Sequence, residues 1–350
     1  MLVTLLKYGL LHGREPQLPI TAAQWERVVA DAKRHAVTAL VYDAVNKLAS
    51  AHGEAVPKEV LFRLFSRAET IGDDNRRREA ALRHFAQSVY DTLGVDTVVV
   101  KGSSLARCYP SPLHRECGDN DVWFPHDLGL QVDDFLRRHG VSIDTRDPRH
   151  SSFIFDGVPF ESHRYLSYPA TAGDDSREPL WLTCPMEAHL LQLVPSHAAL
   201  FTAAHLERHA VFFNEALPLG KLLDWAMLLQ RGFDYEEFNR VKEGSDVDRF
   251  ADLLTQFCVN TFGVSAPRGW RPLSDRALCD FDALFLSPQP RHRWAVVRVV
   301  RRLAKYIRYR RTYREVYGCS PFRRFYWRNI LQATHQLLTG SHRAQGREVA

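Results

Sequence analysis

At Gly94 the hydrophobic pattern of the chain changes period. Upstream, apolar residues recur at three and four positions, as at Leu82, Phe85, Ala86, Val89 and Leu93, the spacing of an amphipathic helix that Gly94 then stops. Downstream, Val95 to Val100 is a short β-branched run that ends at Gly102, the pattern of a buried strand entering a turn. A second helix is expected from about Ser103. Asp121 to Phe124 reads as another short strand, followed by a helix with Asp127 as cap, the apolar stripe Leu128, Val132, Phe135 and Leu136, and Gly140 as its end. Asp156 and Gly157 between two alternating segments predict a tight hairpin. Its second strand places Glu161 and His163 on one face and Phe160 and Ser162 on the other.

Past residue 182 the strand signals fade. Thr183 and Pro185 are expected to open a helix running through His189, Leu190, Leu193 and Val194, with further helices over 220–231, 235–262 and 291–316. The expected fold is α+β: a small mixed-sheet core at 91–182 between a helical N-terminal region, 1–90, and a helical C-terminal region, 183–350. The Pro and Gly cluster at 263–272 is the expected joint in the C-terminal half.

Composition excludes several classes. A chain of 350 residues, 45% hydrophobic and 25% charged, can bury a sizeable core and is not disordered. No apolar run is long enough for a membrane span, and the opening segment lacks a cleavage site for a signal peptide. The six cysteines show no CxxC spacing, which argues against both a zinc module and a disulfide framework and points to a reducing cytoplasm. Of the net +5, residues from Arg291 onward carry fifteen Arg and Lys against two Glu, a local +13, and the preceding 290 residues carry −8.

The chemistry concentrates between residues 98 and 124. A strand ends in Lys101, Gly102, Ser103 and Ser104, and Asp119 and Asp121 follow with one residue between them. On a strand such a pair shares a face about 6.6 Å apart, so two carboxylates can converge on one ion. Carboxylates suit Mg²⁺, which completes its shell with water and substrate phosphates. Gly102 would let backbone approach a phosphate, with the Ser103 and Ser104 amides as donors. A two-metal site needs a further carboxylate, and Glu161 is the candidate, alongside His163 as a substrate contact or proton carrier. Lys101 and Arg115 are candidate triphosphate contacts, although each also suits an ordinary ion pair.

Lys101 and Gly102 after a hydrophobic strand, Tyr109 and Pro110, Arg115, Asp119 and Asp121, then Glu161 and His163 resemble, in order and gaps, the uncharacterised nucleotidyltransferase family of the DNA polymerase beta-like superfamily. The likeness continues more weakly through Pro185 to Leu191, His197 and the segment around Asp224, and spans about 90–265. Asn120 departs from it, standing where the family has an apolar residue. So do His114 and the serines after Gly102. The resemblance implies a nucleotidyltransferase core, a divalent metal (Mg²⁺, with Mn²⁺ as substitute) on Asp119, Asp121 and Glu161, and transfer of NMP from an NTP, foremost ATP, with release of pyrophosphate. The acceptor is expected to be a small molecule, peptide or protein ahead of nucleic acid.

Two rival functions are weighed. One is a nucleotidyltransferase fold that has lost turnover and serves as a binding module, for which Asn120 is the best support. The other is a nucleic-acid binder acting through residues 291–318, where arginines interleave with Trp294, Tyr306, Tyr309 and Tyr313 in a pattern that also suits an anionic membrane surface. The stripe Val296, Val299, Val300, Leu303 and Ile307 in that segment suits a helix docked on its own domain, the preferred reading. His205 and His209 lie one helical turn apart but lack the HExxH order and a third zinc ligand. GxSxG and Walker A motifs are absent.

Overall fold

The computed structural model describes residues 1–147, 149–166, 180–212, 215–243, 247–287 and 295–318. Four helices come first: α1 (Leu2–Leu10), α2 (Ala22–Arg34), α3 (Thr38–His52) and α4 (Lys58–Leu93). Strand β1 (Thr97–Val99), the single turn α5 (Ser103–Ala106), β2 (Asn120–Trp123) and α6 (His126–Arg138) follow, then β3 (Ile143–Asp144), β4 (His150–Phe155) and β5 (Val158–His163). The sheet closes with β6 (Thr183–Glu187) and β7 (Leu190–Leu193). The remaining described helices are α7 (Pro195–Glu207), α8 (Leu219–Arg231), α9 (Tyr235–Lys242), α10 (Asp248–Phe262), α11 (Asp275–Phe281), α12 (Ala295–Arg308) and α13 (Arg310–Tyr317).

The seven strands form one mixed sheet in the order β3-β4-β5-β2-β1-β7-β6. β1 runs antiparallel to β2 and parallel to β7, and β2 runs parallel to β5. The hairpin at Asp156 and Gly157 forms as expected, with both residues at positive φ and Phe155 paired to Val158, the backbone that a two-residue turn requires.

Helix α4 spans 36 residues, about 54 Å at the helical rise, and serves two cores. Its first half sends Val60 and Leu64 into the core of the helical body. Its second half covers one face of the sheet, where Leu82, Phe85 and Val89 pack on Val99, Val122, Phe153 and Phe160 together with Val132, Phe135 and Leu136 of α6. Neighbouring Val98 and Val100 point the other way, into the helical body, as strand alternation dictates. The sheet is therefore clamped between α4 with α6 and the C-terminal helices.

Three elements differ from the sequence reading. The segment from Thr183 is an antiparallel hairpin, β6 to β7, and the helix starts only at Pro195. Leu190 and Leu193 fit a helical spacing as well as a strand run, and periodicity cannot separate the two over so few residues. Pro185 is tolerated because β6 is the edge strand. The helix expected over 235–262 is two, α9 and α10, joined by Lys242, whose buried ammonium reaches Asp248 and Asp252. Helix α6 starts at His126, with Pro125 as cap and Asp127 inside its first turn.

The basic C-terminal segment is helical in α12 and α13, and Trp294 lies outside the described residues. Its docking face is not the expected one. Tyr306, Tyr313, Val316 and Tyr317 are buried and Lys305 donates to the Leu284 carbonyl, whereas Val300 and Ile307 are 57% and 52% exposed. Among the described residues no helix is long and apolar enough to cross a membrane.

Candidate functional site

Strands β2 and β5 build the site. Their parallel register sets Asp121 directly beside Glu161 and Trp123 beside His163. Val122 and Phe160 fill the core behind the sheet, so alternation turns Asp121, Glu161 and His163 to the opposite face. One ligand atom from each of these three lies within 4.8 Å of the others. Asp121 is at the centre: Lys101 Nζ donates to its Oδ2 (3.2 Å) and His163 Nε2 to its Oδ1 (3.1 Å). His163 Nε2 and His150 Nε2 each stand 3.8 Å from Glu161.

Asp119 lies one residue before β2, outside the strand. It is close enough to Asp121 for the two charges to be felt, yet it does not belong to the group of donors within 4.8 Å. Of the expected ligands, Asp121 and Glu161 fall in the group of donors within 4.8 Å, together with His163, and Asp119 stands outside that group but beside Asp121.

The electrostatics are uneven. Burial opposes ionisation of Asp121, but Lys101 and the His163 hydrogen bond outweigh it and hold the carboxyl well below the usual range. Burial and the Asp121 charge push Asp119 and Glu161 upward instead. Like charges crowd here, and a divalent cation would relieve them. The donor set fits such an ion: two carboxylates and an imidazole suit Mn²⁺, and carboxylates with water suit Mg²⁺.

The loop between β1 and β2 is held from behind by the N-terminal helices. Asn75 of α4 donates to the carbonyls of Leu113 and Arg115, and Glu116 accepts the Thr38 amide of α3 at 2.7 Å. Asn120, buried on the core side of β2, donates to the Arg78 carbonyl of α4 at 3.2 Å. The residue that departs from the apolar family pattern therefore pins the strand to α4.

Gly102 has φ +61, and a Cβ there would lie 3.3 Å from the Asp119 carbonyl oxygen. The turn thus needs glycine twice over, for its conformation and for its closeness to Asp119. Arg115 does not face the site as a free phosphate contact. It is buried, paired through Nε and Nη2 to both oxygens of Asp224 at 2.6 and 2.7 Å, with Nη1 near the Gly102 carbonyl at 3.4 Å. Tyr109 donates to the same Asp224 at 2.8 Å. Arg115 and Tyr109 brace the loop against α8.

Helices α7 and α8 form the opposite wall. Phe201 meets the His163 ring edge-on at 5.8 Å, and His205 lies between Phe201 and His209. His205 is buried with no hydrogen-bond partner on either ring nitrogen. Burial, then the Lys101 charge, hold it well below its ordinary pKa, and it sits close enough to Asp121 for the two to interact. Lys221, at the start of α8, is likewise lowered by burial and by Lys101, with Asp119 opposing. Sequence reasoning weighed His205 for zinc and never considered Lys221. The signal for both is spatial: only the folded chain brings α7 and α8 over β2. His197 instead accepts the Leu182 amide at 3.2 Å and has a structural role.

The family model of an uncharacterised nucleotidyltransferase matches residues 21–263, and the chain belongs to that family. The match begins well upstream of the motifs and takes in α2, α3 and α4, the helices that hold the loop and cover the sheet. No curated protein and no solved structure matches the chain.

Proposed function

We propose that this protein transfers a nucleotidyl group from an NTP, ATP foremost, to an acceptor, releasing pyrophosphate. The observation that carries the reading is the register-paired Asp121 and Glu161 with His163 beside them, next to a glycine turn that carries Lys101. Asp121, Glu161 and His163 would hold a divalent ion, with Asp119 completing its rim. Such an ion supplies charge stabilisation for the attacking and leaving oxygens at phosphorus.

The chain's own groups divide the remaining work. Lys101 keeps Asp121 ionised and offers its ammonium to the phosphates. Gly102 gives the backbone room to approach them and Ser103 follows with its amide, whereas the Ser104 amide and hydroxyl both donate to the Lys101 carbonyl at 3.3 Å and shape the turn. Arg115 and Tyr109 act through Asp224 as positioning residues. Lys221 adds positive charge from α8. The unpartnered ring nitrogens of His205, close to Lys101 and Asp121, support a polar ligand on this side of the strand, because buried polar groups ordinarily find a partner. Nothing here requires a protein nucleophile, since phosphoryl chemistry rests on positioning and charge. The acceptor is a small molecule, peptide or protein in this reading.

The purified chain with Mg²⁺, α-labelled ATP and fractionated cell extract tests it. Label should enter an acceptor fraction with wild type and stay as ATP with Asp121→Asn. Equal labelling by the variant would overturn the assignment.

A further inference from the structure

The C-terminal helices present a surface that nucleotidyl transfer does not use. On α12, Val300, Ala304 and Ile307 recur at four and three residues and are exposed, forming one aliphatic stripe. Arg301 and Arg308 line one side of it, and exposed Arg310, Arg311 and Arg314 continue the charge onto α13. Among the described residues none of these five arginines is in an ion pair; Arg310 donates to the Ile307 carbonyl and Arg308 lies over the Tyr309 ring. The opposite side of the helices is docked through Tyr306, Tyr313 and Tyr317. The segment from Arg291 carries +13 on a chain whose remainder is −8.

We propose that this face binds an anionic lipid surface. Charge complementarity selects a polyanion, and the aliphatic stripe selects which kind. Val300 and Ile307 gain nothing from a sugar-phosphate backbone but gain by entering the acyl boundary of a membrane. Nucleic acid would favour outward aromatic rings for stacking, and here Tyr306, Tyr313 and Tyr317 are buried while Tyr309 is half-buried with Arg308 over its ring. The helix would lie in the plane of the interface with its arginines at the headgroups, peripheral and not spanning.

The full-length chain is sedimented with phosphatidylcholine vesicles, with and without about 30% phosphatidylglycerol. Wild type should partition onto the anionic vesicles and only weakly onto phosphatidylcholine alone. Arg301→Gln with Arg308→Gln and Arg311→Gln should cut partition on the order of a hundredfold, at about tenfold per 1.4 kcal/mol and roughly 1 kcal/mol per charge. Val300→Asn with Ile307→Asn, which keeps every charge, should cut it by about tenfold or more. Unchanged thermal melts confirm that these exposed substitutions leave the fold intact. Failure to bind anionic vesicles, or binding indifferent to the aliphatic pair, would overturn the proposal. So would a wild-type dimer that the aliphatic variant abolishes, or RNA binding that the vesicles do not displace.

Discussion

Arg115 and Asp224, 109 residues apart in the chain, meet through two parallel hydrogen bonds in a buried pair. The pair ties the loop before Asp119 to α8, and so anchors the approach to the Asp121 strand on the helical wall. Removing one partner strands a buried charge, at a cost of about 3–5 kcal/mol. Asp224→Asn should lower stability in urea unfolding by that order, and Arg115→Met with Asp224→Leu should recover most of it. Full recovery of stability without recovery of transfer would show that the pair positions the loop beyond holding it together.

Gly102→Ala separates conformation from bulk. Its φ of +61 with ψ −112 lies outside the left-handed helical well and costs an alanine about 1–3 kcal/mol, and the Cβ presses on the Asp119 carbonyl at 3.3 Å. ATP affinity in titration calorimetry should fall about tenfold or more with alanine, and further with Gly102→Val, whose branched side chain the turn cannot place. Affinity unchanged in both variants would put the triphosphate elsewhere.

The carboxylate cluster predicts a pH signature in the metal-free protein. Glu161 has a raised pKa in the fold through burial and Asp121, so the folded chain holds that proton more readily than the unfolded chain. Its contribution to stability therefore grows as pH falls through the folded value and is complete below the unfolded one. Glu161→Gln should raise Tm in chelator by roughly 1–3 °C near pH 7, with the gain gone near pH 4. Comparing variant with wild type at each pH cancels His205 and the other buried histidines, whose lowered pKa works in the opposite sense. For the same reason divalent affinity should weaken on acidification, as protons compete for Glu161 and Asp119.

Asn120→Val tests whether the departure from the family pattern signals a lost site. Its amide bond to the Arg78 carbonyl contributes about 1 kcal/mol, and the ladder to β1 and β5 still holds the strand. Denaturation should show that loss with turnover within a few fold of wild type. Higher turnover than wild type would mean that Asn120 restrains the site.

What could be read in the chain was what depends on local alternation. Phe160 and Ser162 against Glu161 and His163 follow from a period of two, and the Asp156 and Gly157 turn fixes their register. Contacts made by chain folding over long separations were not legible: Asn120 with Arg78, Arg115 with Asp224, and the approach of His205 to Asp121. Arg115 as a phosphate contact was a reasonable expectation from charge alone, and its partner lies in a helix far along the chain. The β6 to β7 hairpin was hidden by Leu190 and Leu193, whose spacing also suits a helix. The stripe through Val300 and Ile307 was legible as a stripe but not as an exposed one, because periodicity identifies a face without saying what covers it.

Calorimetric titration of Mg²⁺ with a non-hydrolysable ATP analogue into the chain bears most directly on the central claim. The account predicts saturable, metal-dependent binding by wild type, reduced about tenfold or more in Asp121→Asn and in Glu161→Gln, with circular dichroism unchanged. Binding of the analogue that is indifferent to Mg²⁺ and to both substitutions would contradict it.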